Sequence, residues 1–148
     1  MPRNAKGMKT LIRLSKFDVD EKRRVLTALQ NREDEILAEI DHAEHRLKEE
    51  QKIAAADSTG VGYLYGAYHR AWRSQRDNQD MQLLTVRTQI EGAREELAEA
   101  YRQLKTYEVT QANRQRRERE EEDRKEQNFL DEVGLTQFRR RDEAANDG

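Results

Sequence analysis

Three groups of residues in this sequence have types and spacings that could carry chemistry. His42 and His45 stand three apart with Asp41 and Glu44 beside them, a spacing that could turn two imidazoles toward one metal ion. Carboxylates are abundant along the whole chain and could serve general acid and base catalysis. The segment from Tyr63 to Trp72 holds four of the nine aromatic residues and the only Trp. Tyr65, Tyr68 and Trp72 share one helical face by their i, i+3, i+7 spacing. They suit either a packed head or an exposed recognition patch, since Tyr and Trp are enriched among binding hot spots. If packed, their partners would be Leu47 and Ile53. Arg70, Arg73 and Arg76 stand beside them and could suit nucleic acid.

The elements that must position these groups narrow the choice. Of 148 residues, 39% are charged and 34% hydrophobic, against roughly 25% and 45 to 50% in an ordinary globular domain. A layered core is out of reach, and a thin apolar seam is not. Lys and Arg number 28 against 30 Asp and Glu, a net charge of -2, so the chain has no basic field for nucleic acid. There is no cysteine, hence no disulfide, thiolate metal site or cysteine nucleophile. Apolar runs are far shorter than the roughly 20 residues of a membrane span or the 7 to 15 of a secretory signal core, so neither membrane insertion nor that export route is expected. Phosphate-loop, dinucleotide and nucleophile-elbow motifs are missing. Two helices offer neither the further ligands a metal needs nor the dry cleft that moves a carboxylate pKa. The expectation is a non-enzymatic chain without cofactor or metal.

The predicted fold is all-α, a long two-helix antiparallel coiled-coil hairpin with an extended, charged C-terminal helix. Pro occurs only at position 2, and Gly60, Gly62 and Gly66 cluster. A turn is therefore expected at 57–62, between helices at about 9–56 and 63–138, with a flexible start at 1–8 and a disordered tail at 141–148. Heptad steps from Ile12 run through Val19, Leu26, Glu33, Ile40, Leu47 and Ala54, with Ser15, Lys22, Leu29, Ile36 and Ala43 between them. On the second helix the two series are Leu83, Ile90, Leu97, Leu104 and Val86, Ala93, Ala100, Tyr107, all without charge. Folding the chain near residue 59 brings Ile12 opposite Tyr107, so the seams end together, as an intramolecular hairpin requires and a parallel dimer does not. Acids precede bases at i, i+4 in pairs such as Asp18 with Lys22, Asp20 with Arg24, and Glu121 with Lys125. Arg114 to Glu126 then carries six bases and six acids and nothing apolar, the pattern of a solvated single helix. Phe129, Leu130, Val133, Leu135 and Phe138 follow, with no surface of the hairpin left to cover them. Among them Phe129, Leu130, Val133 and Phe138 return at spacings of three to five, which suggests one face presented to a partner.

With these parts placed, the sequence resembles the flagellar export protein FliJ family over roughly Lys9 to Arg140. The resemblance rests on the opening Met8-Lys9-Thr10-Leu11-Ile12-Arg13-Leu14, the Tyr65-x-x-Tyr68-x-x-x-Trp72 pattern and the ending Arg124-Lys125-Glu126-Gln127-Asn128-Phe129-Leu130-Asp131-Glu132. It implies a soluble antiparallel coiled coil like the γ stalk of rotary ATPases, without activity of its own. Such a stalk inserts into the export ATPase hexamer, engages the cytoplasmic domain of the export gate membrane protein and handles unloaded export chaperones. It works in the cytoplasm, peripheral to the inner membrane. Carried onto this chain, the gate-binding motif matches Tyr65, Tyr68 and Trp72, while Gln75 and Gln79 depart from the apolar or His residues common there. The ring-docking part falls at the chain ends, where Phe129, Leu130, Val133 and Phe138 lie. An injectisome stalk of the same role and an unrelated coiled-coil adaptor are the alternatives.

Overall fold

The computed structural model describes residues 2–56 and 62–147, with side chains from Lys6 to Ala56 and from Leu64 to Asp147. Two helices account for them, α1 at Pro2–Ala56 and α2 at Gly62–Asn146, and no strand occurs among the described residues. Apart from Gly62, the expected turn lies outside the described residues. Both helices run further than periodicity suggested. α1 covers most of the stretch expected to be a flexible start, because Pro2 is tolerated in a first helical turn, where its missing N–H has no partner to lose. α2 continues to Asn146 through most of the stretch expected to be a disordered tail, where Arg139, Arg140, Arg141 and Ala144 favour helix and no breaker intervenes. Gly62, taken as the last residue of the turn, belongs to α2, as does Gly66, which lies within the expected helix.

The chain divides into two compact units, Leu14–Gln103 and Met1–Arg13 with Leu104–Gly148. In the first, α1 and α2 pack against each other through a thin core. Ile36, Ile40, Val86 and Ile90 form its buried centre, with Leu26, Leu29 and Leu83 against them. Val19, Ala43, Ala93 and Ala100 extend the same heptad positions. Alanine at these layers lets the helices approach, and the β-branched residues fill the seam in their few allowed rotamers.

Two polar residues of the seam, Lys22 and Glu33, find partners across the hairpin rather than interrupting it. Lys22 reaches Glu96 at 3.5 Å and Glu33 accepts from Arg87 at 3.3 Å. Each long side chain lays its methylenes along the seam and keeps its charge at the edge. Such half-exposed pairs contribute about 0 to 1 kcal/mol each, so they serve alignment more than stability. Lys22 with Glu96 centres on residue 59, and Glu33 with Arg87 and Glu44 with Arg76 centre on residue 60, in agreement with a fold near residue 59. Beside them the Arg23 guanidinium lies 5.5 Å from the centre of the Tyr101 ring and donates to its hydroxyl. Arg24 pairs with Glu21 at 3.6 Å, three residues away, where the sequence pattern pointed to Asp20.

Ile36 is 0% exposed, the most buried large side chain of the described residues. Ile36→Ala is therefore expected to cost about 2 to 5 kcal/mol, from lost transfer energy and a cavity that two stiff helices close poorly. Urea unfolding followed by circular dichroism checks this. A midpoint equal to the parent's would mean that this seam is not what holds the helices together.

In the second unit Met8 and Ile12 are buried, and Leu104, Tyr107, Gln111 and Asn113 on α2 are half-buried. The paired stretch thus runs one turn beyond Ile12 and Tyr107, where the apolar heptads stop, because Met8 occupies the next seam position. From Arg114 to Asp147 every residue is exposed. Ion pairs along this surface, such as Arg116 with Glu120 and Lys125 with Glu121, both at 3.9 Å, are local to the helix. Helix propensity and i, i+4 pairs sustain the segment, as the sequence pattern required.

Candidate functional site

The aromatic head lies at the start of α2, where the seam changes character. Reading back from Leu83 and Val86 in heptad steps, the seam positions are Gln79, Arg76, Trp72, His69 and Tyr65. The aliphatic stripe becomes aromatic and polar without leaving the interface. Trp72 is half-buried, and its indole Nε1 donates to the Ala43 carbonyl of α1 at 2.9 Å. That bond fixes the ring against α1 and leaves only part of it for another molecule. His69 stacks between Tyr65 and Trp72 with ring centres 5.9 and 6.0 Å away, and the Tyr65 and Tyr68 rings are 6.4 Å apart. Tyr68 stands beside the seam rather than in it. Leu47 is half-buried as a packed head would need, but Ile53, the other expected partner, is 63% exposed, because it stands beside the seam, whose next position is the half-buried Ala54.

Two residues of α1, Ala43 and Arg46, that the sequence reading did not place at the head complete this surface. Ala43, Arg46 and Gln75 line, with Tyr68, Ala71 and Trp72, a shallow groove of about 120 Å³. Register counting about residue 60 would have found Ala43 and Arg46, since it sets residues 43–47 opposite residues 73–77. Both helices therefore form the groove, with a guanidinium at its margin.

Below the groove the seam holds polar atoms that lack hydrogen bonds. Arg76 contacts Glu44 at 3.5 Å and Asp80 at 3.4 Å. Its buried Nη1 nonetheless lacks a hydrogen bond, so the Glu44 contact is one of charge alone. The Oε1 of Gln79 and the hydroxyl of Tyr65 are buried without partners as well. Gln79 is 6% exposed, which explains why a polar residue here departs from an apolar pattern at a stability cost. Leaving an acceptor unpaired costs about 1 to 3 kcal/mol, so Gln79→Leu is expected to stabilise the hairpin by an amount in that range. A lower denaturation midpoint for the Leu variant would show that the amide has a partner worth more than its desolvation.

The C-terminal group is placed differently. Phe129, Leu130, Val133, Leu135 and Phe138 are 65%, 54%, 37%, 56% and 68% exposed, all on the single-helix part of α2. They do not share one face, as their spacing had suggested. Nine residues make about two and a half turns of α-helix, so Phe138 points about 180° away from Phe129. Phe129, Leu130 and Val133 form one patch, and Leu135 and Phe138 another.

His42 and His45 are both exposed on α1. The Nδ1 of His45 donates to the Asp41 carbonyl at 2.9 Å, a local bond on the helix surface. Among the described residues no three His, Asp or Glu side chains converge as a metal site would require. No described helix is long and apolar enough to cross a membrane.

Comparison with known proteins adds one finding. The model of a family described as "Flagellar FliJ protein" matches residues 5–143. No curated protein and no solved structure matches the chain.

Proposed function

The chain belongs to the flagellar FliJ protein family, a non-enzymatic component of flagellar type III export, and from that premise we propose that it acts as a γ-stalk-like coupling element between an export ATPase hexamer and the export gate. In this reading the single-helix end of α2 docks into the ATPase ring through Phe129, Leu130, Val133 and Phe138. The head at Tyr65, Tyr68 and Trp72 binds the cytoplasmic domain of the gate membrane protein, and unloaded export chaperones are handled in passing. The protein would then work at the cytoplasmic face of the inner membrane, held there by the apparatus. The observation that carries the reading is the bare apolar group near the end of α2. Those side chains are exposed on a helix with no neighbour among the described residues, and anchors on two faces suit an enclosing ring better than a one-sided groove. The family match favours the flagellar over the injectisome system. Pull-down of the full chain against the purified export ATPase and, separately, the gate's cytoplasmic domain tests it. Retention of both is expected, and failure to retain either would remove the coupling role.

A further inference from the structure

We infer that the single-helix end of α2 pairs antiparallel with the same segment of a second copy of this chain, in a register centred on Asp131. Such pairing stands whether or not the segment docks into a ring. Steps of three and four run without a break from Arg119 through Phe129 and Val133 to Glu143, a seam pattern on a helix whose residues are all exposed. In an antiparallel pair, each residue of one seam series meets one of the other series. Centring on Asp131 sets Phe129 of one copy against Val133 of the second. In the same register Glu126 meets Thr136 in the layer beside the apolar centre, and in the two layers beyond it Glu122 meets Arg140 and Arg119 meets Glu143, pairs of opposite sign. Each pairing occurs twice by the two-fold symmetry, which makes the contact self-closing. The acidic run Glu121-Glu122-Asp123 thereby lies along Arg139-Arg140-Arg141.

The two flanks of this seam differ. On one, Leu130 meets its own symmetry mate and widens the apolar centre. On the other, Glu132 meets itself and Lys125 meets Arg139, like charges that oppose the association. The apolar centre is short, so the pair is weak and reversible and forms at high local concentration. Because Phe129, Leu130 and Val133 serve both, self-pairing and docking of this segment elsewhere exclude each other. A free chain would cover its own apolar patch until a partner takes it.

The absence of cysteine makes the register directly testable on the full-length chain. Equal amounts of Glu122→Cys and Arg140→Cys, mixed and oxidised, are expected to form a mixed disulfide dimer, while each variant alone forms little. The two positions are about 27 Å apart along the helix, so a parallel pair would instead link each variant to itself. Sedimentation velocity from 10 to about 500 μM gives the second reading, chosen because pairs this small associate weakly. Arg140→Glu should lower the association constant at least tenfold, and Glu122→Arg in the same chain should restore it. Since these positions are exposed on a single helix, circular dichroism should be unchanged. Homodisulfides in place of mixed ones, monomer throughout the range, or association indifferent to both charge reversals would each overturn the inference.

Discussion

Deleting Asn128 to Gly148 is expected to abolish binding to the export ATPase while leaving the hairpin as stable as before. Every described residue removed is exposed, so no packing is lost with them. The partner loses much more. Fully burying side chains the size of Phe, Leu or Val stabilises a complex by about 1.5 to 3 kcal/mol each, and this segment offers five of them. Even after the cost of ordering the helix on binding, such a loss moves a micromolar complex beyond detection. Because the anchors occupy two faces, Phe138→Ala should weaken ATPase binding about as much as Phe129→Ala if the ring encloses the helix. An effect confined to Phe129, Leu130 and Val133 would point to a one-sided groove. Glu122→Arg should disturb self-pairing without reproducing the deletion's loss of ATPase binding, which keeps the two uses of the segment apart. A truncated chain that still binds and stimulates the ATPase at full strength would end the docking proposal.

Tyr68→Ala is expected to cost gate binding at least 2 kcal/mol, about thirtyfold in affinity, with little change in stability. Trp72→Ala should lose both. The difference follows from where the two rings stand. Trp72 occupies the seam and spends its N–H on the Ala43 carbonyl, so its removal opens a hole between the helices and leaves that bond unmade. Tyr68 stands beside the seam and lines the groove shared with Arg46 and Gln75. A double Ala variant alone would confuse lost contact with a loosened head, so Trp72→Phe is the informative companion. It keeps a ring in the seam, removes the hydrogen bond and should lower stability by about 1 kcal/mol. Isothermal titration against the gate's cytoplasmic domain, with urea unfolding in parallel, separates the effects. Wild-type affinity in Tyr68→Ala would remove the head from the gate interface.

Much of this molecule is decided locally, and local properties are legible in a sequence. Helix type follows from propensity and from the near absence of breakers outside residues 57–62. The seam follows from three-and-four spacing, which turns chain order into a stripe on a cylinder. Those two facts, with arms of equal reach, already imply a fold near residue 59 and a bare apolar group beyond Arg114. What one chain order could not settle was what faces what across the hairpin. Heptad counting assigned Tyr65 and Trp72 to a face without showing whether α1 covers it, because cover depends on the reach of Ala43, Arg46 and Leu47 from the opposite helix. A small residue at position 43 leaves room for the indole and brings a backbone carbonyl within its reach, a match that exists only once the helices are paired. The same pairing buries Gln79, half-buries Arg76 and sends Lys22 to Glu96 on the other helix. Periodicity is a property of one helix, whereas burial and hydrogen bonding at a seam belong to two, and only the tertiary structure sets their separation and rotation.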